Sequence, residues 1–230
     1  DFGSSDNARK LVDELDNNQG PGLPPLFTPN NDNVNFANVI AGTYLDGTQY
    51  DALDGDDVVT LPENAAIAAQ AGYDPLHDFH GNGGNDFIVG GDFDDNIFGD
   101  AGNDVIQGGK GTDTLDGGDG SDSLMGMDGA DTLLGGAGVD FIYGGGAADQ
   151  VFGGDDNDFL YGEDGEDNIL GEAGDDTIEG SAGNDKIDGG IGDDKLYGGL
   201  GDELIHGGEG IDFLYGEEGN DVLAGDGGND

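Results

Sequence analysis

The sequence contains no cysteine and no tryptophan, and only five basic residues stand against 52 acidic ones, for a formal net charge of −47. The absence of cysteine excludes a disulfide framework, a thiolate zinc site and a cysteine nucleophile. The acidic excess argues against a nucleic-acid partner, because phosphate backbones repel such a surface. No apolar run approaches the roughly 18 residues of a membrane-spanning helix, so the sequence predicts no transmembrane segment.

Glycine is abundant, with 50 residues in 230, and much of it follows a nine-residue repeat that starts at Gly81. Position one of the repeat is glycine from Gly81 to Gly225, and position eight is Ile, Leu or Val from Ile88 to Leu223. No insertion interrupts the repeat, so it predicts an ordered solenoid rather than the disorder that charge and glycine alone would indicate. Position six is acidic throughout: Asp86, Asp95, Asp104, Asp113, Asp122, Asp131, Asp140, Asp149, Asp158, Asp167, Asp176, Asp185, Asp194, Glu203, Asp212, Asp221 and the final Asp230.

The repeat reads G-G-x-G-x-D-x-U-x with U aliphatic, and residues 81–230 resemble the RTX (repeats-in-toxin) family of calcium-binding nonapeptides. The resemblance implies an all-β fold, a right-handed parallel β-roll (a β-helix solenoid) in which two nonapeptides form one coil of 18 residues. It also implies that a calcium ion lies between turns one coil apart, bound by the sixth-position acids of both turns and by backbone carbonyls. Filling every such gap takes about 15 Ca²⁺ ions of the oxygen-ligated type.

The spacing has a physical rationale of its own. Each nonapeptide divides into a six-residue turn and a three-residue strand, and glycines at positions one, two and four allow left-handed backbone. Stacked coils align the sixth-position acids in two columns, one starting at Asp86 and the other at Asp95. Like charges about 5 Å apart repel by about 3 kcal/mol at an effective dielectric constant near 20, so such columns require a cation. The alternative is that these aspartates only cap turns, as single aspartates often do.

We expect calcium to fold the chain, because a core of small aliphatic residues does not offset the entropy cost of ordering so much glycine. Four positions depart from the pattern. Glu203 is one methylene longer than aspartate, so its ions should bind less well. Phe93 and Asp156 occupy position four and carry a Cβ, which predicts distorted turns. Asp230 is the last residue, and we leave it out of the predicted ligands.

The first 80 residues read differently. Residues 1–33 are predicted to form an arm, with a short helix over residues 5–19 and a proline-rich linker over residues 16–33. Residues 34–80 are predicted to form an irregular N-terminal cap, which an open solenoid needs to protect its end.

Within this cap, degenerate repeats precede the regular ones. Asp51-Ala-Leu53 and Asp57-Val-Val59 both imitate the Asp-x-aliphatic unit. The alanine-rich segment from Pro62 predicts a short helix that ends at Gly72. Extending the repeat backwards places Phe79 at position eight.

Positions seven and nine point outward from the predicted strands, and one of the two sheets carries many aromatic residues there. Two interpretations stay open for this stripe: a contact surface for a homo-oligomer or filament, or a surface covered by the N-terminal arm with Phe27, Phe36 and Tyr44. The stripe comprises Phe87, Phe141, Tyr143, Phe159, Tyr161, Tyr197, Phe213 and Tyr215.

Catalytic signatures such as H-E-x-x-H, G-x-S-x-G and the P-loop are absent, so the sequence does not predict an enzyme. Together with the resemblance, this favours an extracellular calcium-binding structural module of a bacterial protein exported by type I secretion, in an adhesin, a surface layer or a self-assembling fibre. The alternative is an accessory roll of a secreted protease, lipase or epimerase, or of an RTX toxin. The expected location is outside the cell or on its surface.

Overall fold

The chain winds into a parallel β-solenoid in a computed structural model that describes residues 27–36, 51–71 and 76–230. Each coil contributes one strand to each of two parallel sheets. Paired residues of neighbouring coils are 18 positions apart, as Leu124 pairs with Ile142 and Ile142 with Leu160. The predicted all-β parallel roll with coils of 18 residues is therefore confirmed.

Nineteen strands, β1 to β19 in chain order, form the two sheets in the described residues. The ten-stranded sheet contains β1 (Asn33–Asn35), β2 (Val58–Thr60), β4 (Phe87–Val89), β6 (Val105–Lys110), β8 (Ser123–Asp128), β10 (Phe141–Gly146), β12 (Phe159–Asp164), β14 (Thr177–Ala182), β16 (Lys195–Leu200) and β18 (Phe213–Glu218). The nine-stranded sheet contains β3 (Phe79–His80), β5 (Asn96–Phe98), β7 (Thr114–Asp119), β9 (Thr132–Ala137), β11 (Gln150–Asp155), β13 (Asn168–Ala173), β15 (Lys186–Ile191), β17 (Leu204–Gly210) and β19 (Val222–Gly228).

The core is a row of aliphatic side chains from position eight, buried from Phe79 to Ile205. From β6 onward the strands have six or seven residues instead of the predicted three. In β6 the side-chain sites alternate outward and inward through Val105–Lys110, so position one faces the interior just as position eight does. This shared inward orientation continues the β-pairing beyond the predicted strand end.

Glycine at positions one and two serves different purposes. Position two is left-handed, with φ 98° at Gly118 and φ 79° even at Met127. The position-one glycines do not have left-handed φ values, contrary to the expectation from sequence. Glycine is needed at position one because a Cβ on Gly144 would lie 2.6 Å from Oδ2 of Asp149 and 2.7 Å from the carbonyl oxygen of Gly162.

The first coils extend the ten-stranded sheet with irregular spacing. Val34 pairs with Val59 and Val59 with Ile88, offsets of 25 and 29 residues instead of 18. The longer offset contains the predicted helix, α1 (Ala65–Ala71), whose first turn donates two backbone N–H groups to Oδ1 of Asn64. Insertions between coils therefore leave the strand pairing intact.

The structure separates the two imitated repeats of the cap. Asp57 and Val59 are buried at the sixth and eighth positions, as predicted. The interpretation of Asp51-Ala-Leu53 as a repeat unit is wrong. Ala52 is the buried residue of that segment, Leu53 is left-handed with φ 69°, and Asp51 lies beside His80, a position-nine residue. The cause is the 29-residue offset, which moves this segment out of the phase that 18-residue counting assigns.

The arm does not account for the aromatic stripe through Phe27 and Phe36. Both are buried in the core, where Phe27 packs edge-on against Phe79 with ring centroids 5.8 Å apart. The predicted helix over residues 5–19, Tyr44 and the helix stop at Gly72 lie outside the described residues. The boundaries at residues 33 and 80 stay predictions. Within the described ranges, no helix has the length and apolar character to cross a bilayer.

Candidate metal centre

The sixth-position acids form two columns, one along each edge of the roll. Those from Asp86 to Asp212 are buried, with at most 3% of their surface exposed, and Asp221 near the chain end is partly buried. The strands place them there, because position six directly precedes each strand and neighbouring coils stack in register. The structure thus brings the predicted residues together as neighbours within each column.

A repeated hydrogen bond joins the members of each column. The backbone N–H of Asp122 donates to Oδ1 of Asp140 at 2.7 Å, and that of Asp140 donates to Oδ1 of Asp158 at 2.8 Å. The carbonyl of Asp140 also accepts the N–H of Phe159 at 2.9 Å, at the start of the next coil's strand. Each acid therefore uses its amide, its carbonyl and one carboxylate oxygen to connect coils.

The second carboxylate oxygen of each buried acid has no hydrogen-bond partner. Leaving a buried polar atom unpaired is costly, and a buried charge more so. A regular row of such oxygens is best explained by a cation that they would bind. The unpaired atoms are Oδ2 of Asp57, Asp86, Asp104, Asp113, Asp122, Asp131, Asp140, Asp149, Asp158, Asp167, Asp176, Asp185, Asp194 and Asp212, Oδ1 of Asp95, and both oxygens of Glu203.

Backbone carbonyls are available beside these oxygens. The Cβ that Gly144 lacks would sit between the Asp149 carboxylate and the Gly162 carbonyl of the next coil, so oxygens from two coils approach one point. In the described part of the chain, no three His, Cys, Asp or Glu side chains gather into one metal-binding group. Carboxylates alone therefore do not complete a coordination shell, and the remaining ligands would be carbonyls or water. The residues present fit a hard cation that prefers oxygen.

Burial perturbs the acidity of both columns. Desolvation raises the pKa of Asp104 and of Asp140 to about 7, and neighbouring acids of the column raise it further against the lowering effect of a backbone hydrogen bond. The same desolvation raises the pKa of Asp176 to about 6. These carboxyl groups therefore hold protons close to neutral pH when no cation compensates their charge.

Glu203 interrupts its column as the sequence indicated. Neither of its carboxylate oxygens accepts a hydrogen bond, so the link from Asp185 is missing, and the next link, from Glu203 N–H to Oδ1 of Asp221, is long at 3.2 Å. Desolvation raises the pKa of Glu203 to about 7. The extra methylene thus displaces the carboxylate from the position that aspartate takes.

The other departures have smaller effects. In the turn of Phe93, the Asp95 carboxylate turns back to accept the N–H of Gly91 at 2.8 Å, so this turn is distorted as predicted. Asp156 adopts φ 77°, where position-four glycines of other turns have φ 118° to 159°, but the link from Asp158 to Oδ1 of Asp176 is kept at 2.8 Å. That distortion stays local.

The structure adds residues at both ends of one column. Asp57 donates its N–H to Oδ1 of Asp86 at 2.7 Å and has an unpaired Oδ2, so it belongs with the predicted acids. Its Asp-x-aliphatic unit was the available signal, but the 29-residue offset hid its place in the column. Asp230 accepts the N–H of Asp212 at 3.3 Å and continues the ladder to the last residue.

Comparison with protein families agrees with this geometry. The model of the RTX calcium-binding nonapeptide repeat (four copies) matches residues 80–115, 116–151, 143–178, 170–202 and 197–230. The chain belongs to the RTX family. Because RTX repeats bind Ca²⁺, the roll is a calcium-binding module, and the family is typical of secreted bacterial proteins. A search of curated proteins gave no significant match.

Proposed function

We propose that this RTX roll is a structural rod of a secreted protein that calcium folds outside the cell. Each ion would lie between two turns of one column, bound by the carboxylates of both turns and by neighbouring carbonyls. The row of buried, unpaired carboxylate oxygens carries this proposal. The proposed ligands are the sixth-position acids from Asp86 to Asp221 named above, and Asp57 extends the set.

The donor chemistry favours calcium over other cations. The columns offer carboxylate and carbonyl oxygens with no cysteine, and both histidine pairs lie elsewhere, His80 on Asp100 and His206 on Asp226. Calcium accepts six to eight oxygens in flexible geometry, whereas Mg²⁺ requires a near-ideal octahedron and gives up its water reluctantly. Two carboxylates and a set of fixed carbonyls suit the more adaptable ion.

Charge explains why folding would depend on the ion. At neutral pH the columns are near their raised pKa values, so a calcium-free roll must either hold protons or bury uncompensated charge. About 15 divalent ions would reduce the net charge from −47 to about −17. Export through a secretion channel requires an unfolded chain, and low intracellular calcium would keep it unfolded.

The test compares the chain in chelator and in calcium by far-UV circular dichroism. We expect β-structure with millimolar calcium, the affinity range of extracellular sites, and its loss in chelator. Equimolar Mg²⁺ is the control and should restore little of it. Equilibrium dialysis at saturation should find about 15 ions per chain if the inter-turn gaps are filled. An unchanged β-spectrum in chelator would refute calcium-dependent folding.

The proposed structural role extends to self-assembly through the aromatic stripe. Its rings stack between coils, Phe141 on Phe159 at 4.8 Å and Tyr143 on Tyr161 at 4.9 Å, and Phe141 is 42% exposed. From β4 to β18, the outward positions seven and nine of this sheet carry only two charges, Glu179 and Lys195, of opposite sign. A neutral, apolar face on such an acidic chain suits contact with a second copy.

Sedimentation of the calcium-loaded chain tests this part separately. We expect association that grows with concentration and weakens when Phe141 and Tyr143 are both changed to Ser. Phe152→Ser on the other sheet is the matched control and should not weaken it. A strictly monomeric chain at high concentration, or equal effects of the two sets of substitutions, would contradict self-assembly through this face.

A further inference from the structure

A second row of hydrogen bonds joins the coils at position five, immediately before the acids. The N–H of Asn103 donates to Oδ1 of Asn85 at 2.8 Å, and the N–H of Ser121 donates to Oδ1 of Asn103 at 3.0 Å. The side chains in this row are Asn or Asp, exposed and outside the acidic columns. The same bond joins Asp56 to Asn85, Asp94 to Thr112, Asn157 to Asp175, Asp175 to Asp193, Asp193 to Ile211, Asn184 to Asp202 and Asp202 to Asn220.

The two rows run in opposite directions. The N–H of Asp175, at position five, donates to Asn157 in the preceding coil at 2.9 Å. The N–H of Asp176, at position six, donates to Asp194 in the following coil at 2.8 Å. Two consecutive amides thus tie one turn to both neighbours, while Oδ2 of Asp176 stays unpaired. Position five fixes the spacing of the turns without using the oxygens that a cation would take.

The position-five row is interrupted in the middle of the roll. Ala130, Val139 and Ala148 occupy position five there, and none has a side chain that accepts a hydrogen bond. The sixth-position links continue through these turns, for example from Asp131 to Asp149 at 2.8 Å. The middle turns are therefore tied to their neighbours by one row instead of two.

We propose that the Asn and Asp side chains at position five are positioning residues that preset the distance between turns for cation binding. This inference rests on the proposed calcium function, and none of these side chains is itself a proposed ligand. Turns with the second row bind calcium more tightly than the middle turns. The middle turns open first when calcium is removed.

Loss of one link tests the inference with a matched pair at Asp175. Asp175→Ala removes both the charge and the acceptor, whereas Asp175→Asn removes the charge and keeps the acceptor. The readout is hydrogen exchange of the Asp193 amide at a calcium concentration that half-folds the chain. We expect exchange about fivefold faster in the alanine variant, the effect of one hydrogen bond, and unchanged exchange in the asparagine variant. Equal exchange in both variants would overturn the inference.

Gain of a link tests it without loss of stability. Val139 is 38% exposed, so Val139→Asn empties no core site and gives the Asn157 amide an acceptor. We expect exchange at Asn157 about fivefold slower, and protection at a lower calcium concentration, than in the control Val139→Ala. If calcium folds every variant but both pairs behave alike, the positioning inference fails and the proposed function stands. If calcium does not fold the parent chain, the proposed function fails.

Discussion

The position-one glycines offer the sharpest test of how coils approach one another. Gly144 and Gly146 lie two residues apart in the same turn. A Cβ on Gly144 would lie 2.6 Å from Asp149 Oδ2 and 2.7 Å from the Gly162 carbonyl oxygen, well inside a normal contact of about 3.5 Å. A Cβ on Gly146 would meet only the Met127 carbonyl oxygen, at 3.8 Å. Alanine is therefore expected to have opposite effects at the two sites.

The magnitudes follow from these contacts. Overpacking costs about 1–3 kcal/mol, and displacing the Asp149 carboxylate adds a loss of ion binding, so Gly144→Ala should lower the free energy of unfolding by at least about 2 kcal/mol. Gly146→Ala should be neutral or raise it by up to about 1 kcal/mol, because alanine restricts the unfolded chain. Urea unfolding at saturating calcium, followed by circular dichroism, measures both. Equal stability of the two variants would refute the close approach.

Three further predictions concern the acidic columns. In chelator, β-structure should be greatest below about pH 4 and fall as pH rises through 7, because folded carboxyls such as Asp104, with a pKa of about 7, bind protons that the unfolded chain releases near 3.8; a spectrum independent of pH would contradict this. Asp122→Asn, which keeps an Oδ1 acceptor, should stabilise the calcium-free form at neutral pH but raise the calcium midpoint of folding, and Asp155→Asn on the surface should change neither; a lowered midpoint would count against ligation by Asp122. Glu203→Asp should restore the missing link and stabilise the calcium-loaded chain by about 1 kcal/mol in urea unfolding, whereas a loss of stability would show that the glutamate is well accommodated.

Most of the roll could be predicted because its information is local and repeated. Residues such as Ile142 and Asp140 recur at fixed spacing, and a strict period leaves one way to stack coils in register. The cap was harder, because its offsets of 25 and 29 residues share no period with the repeat. Asp51 was misplaced and Asp57 left out of the ligand set for that single reason.

The sequence by itself determined the coil length, the buried row at position eight and the two acidic columns, because strand alternation and an unbroken period of nine residues dictate them. Only the tertiary structure decided which atoms of those residues stay unpaired. The Asp140 side chain spends Oδ1 on the amide of Asp122 and keeps Oδ2 free. That division, the tight approach at position one and the second row of bonds at position five arise between coils, where distances depend on stacking and not on chain order.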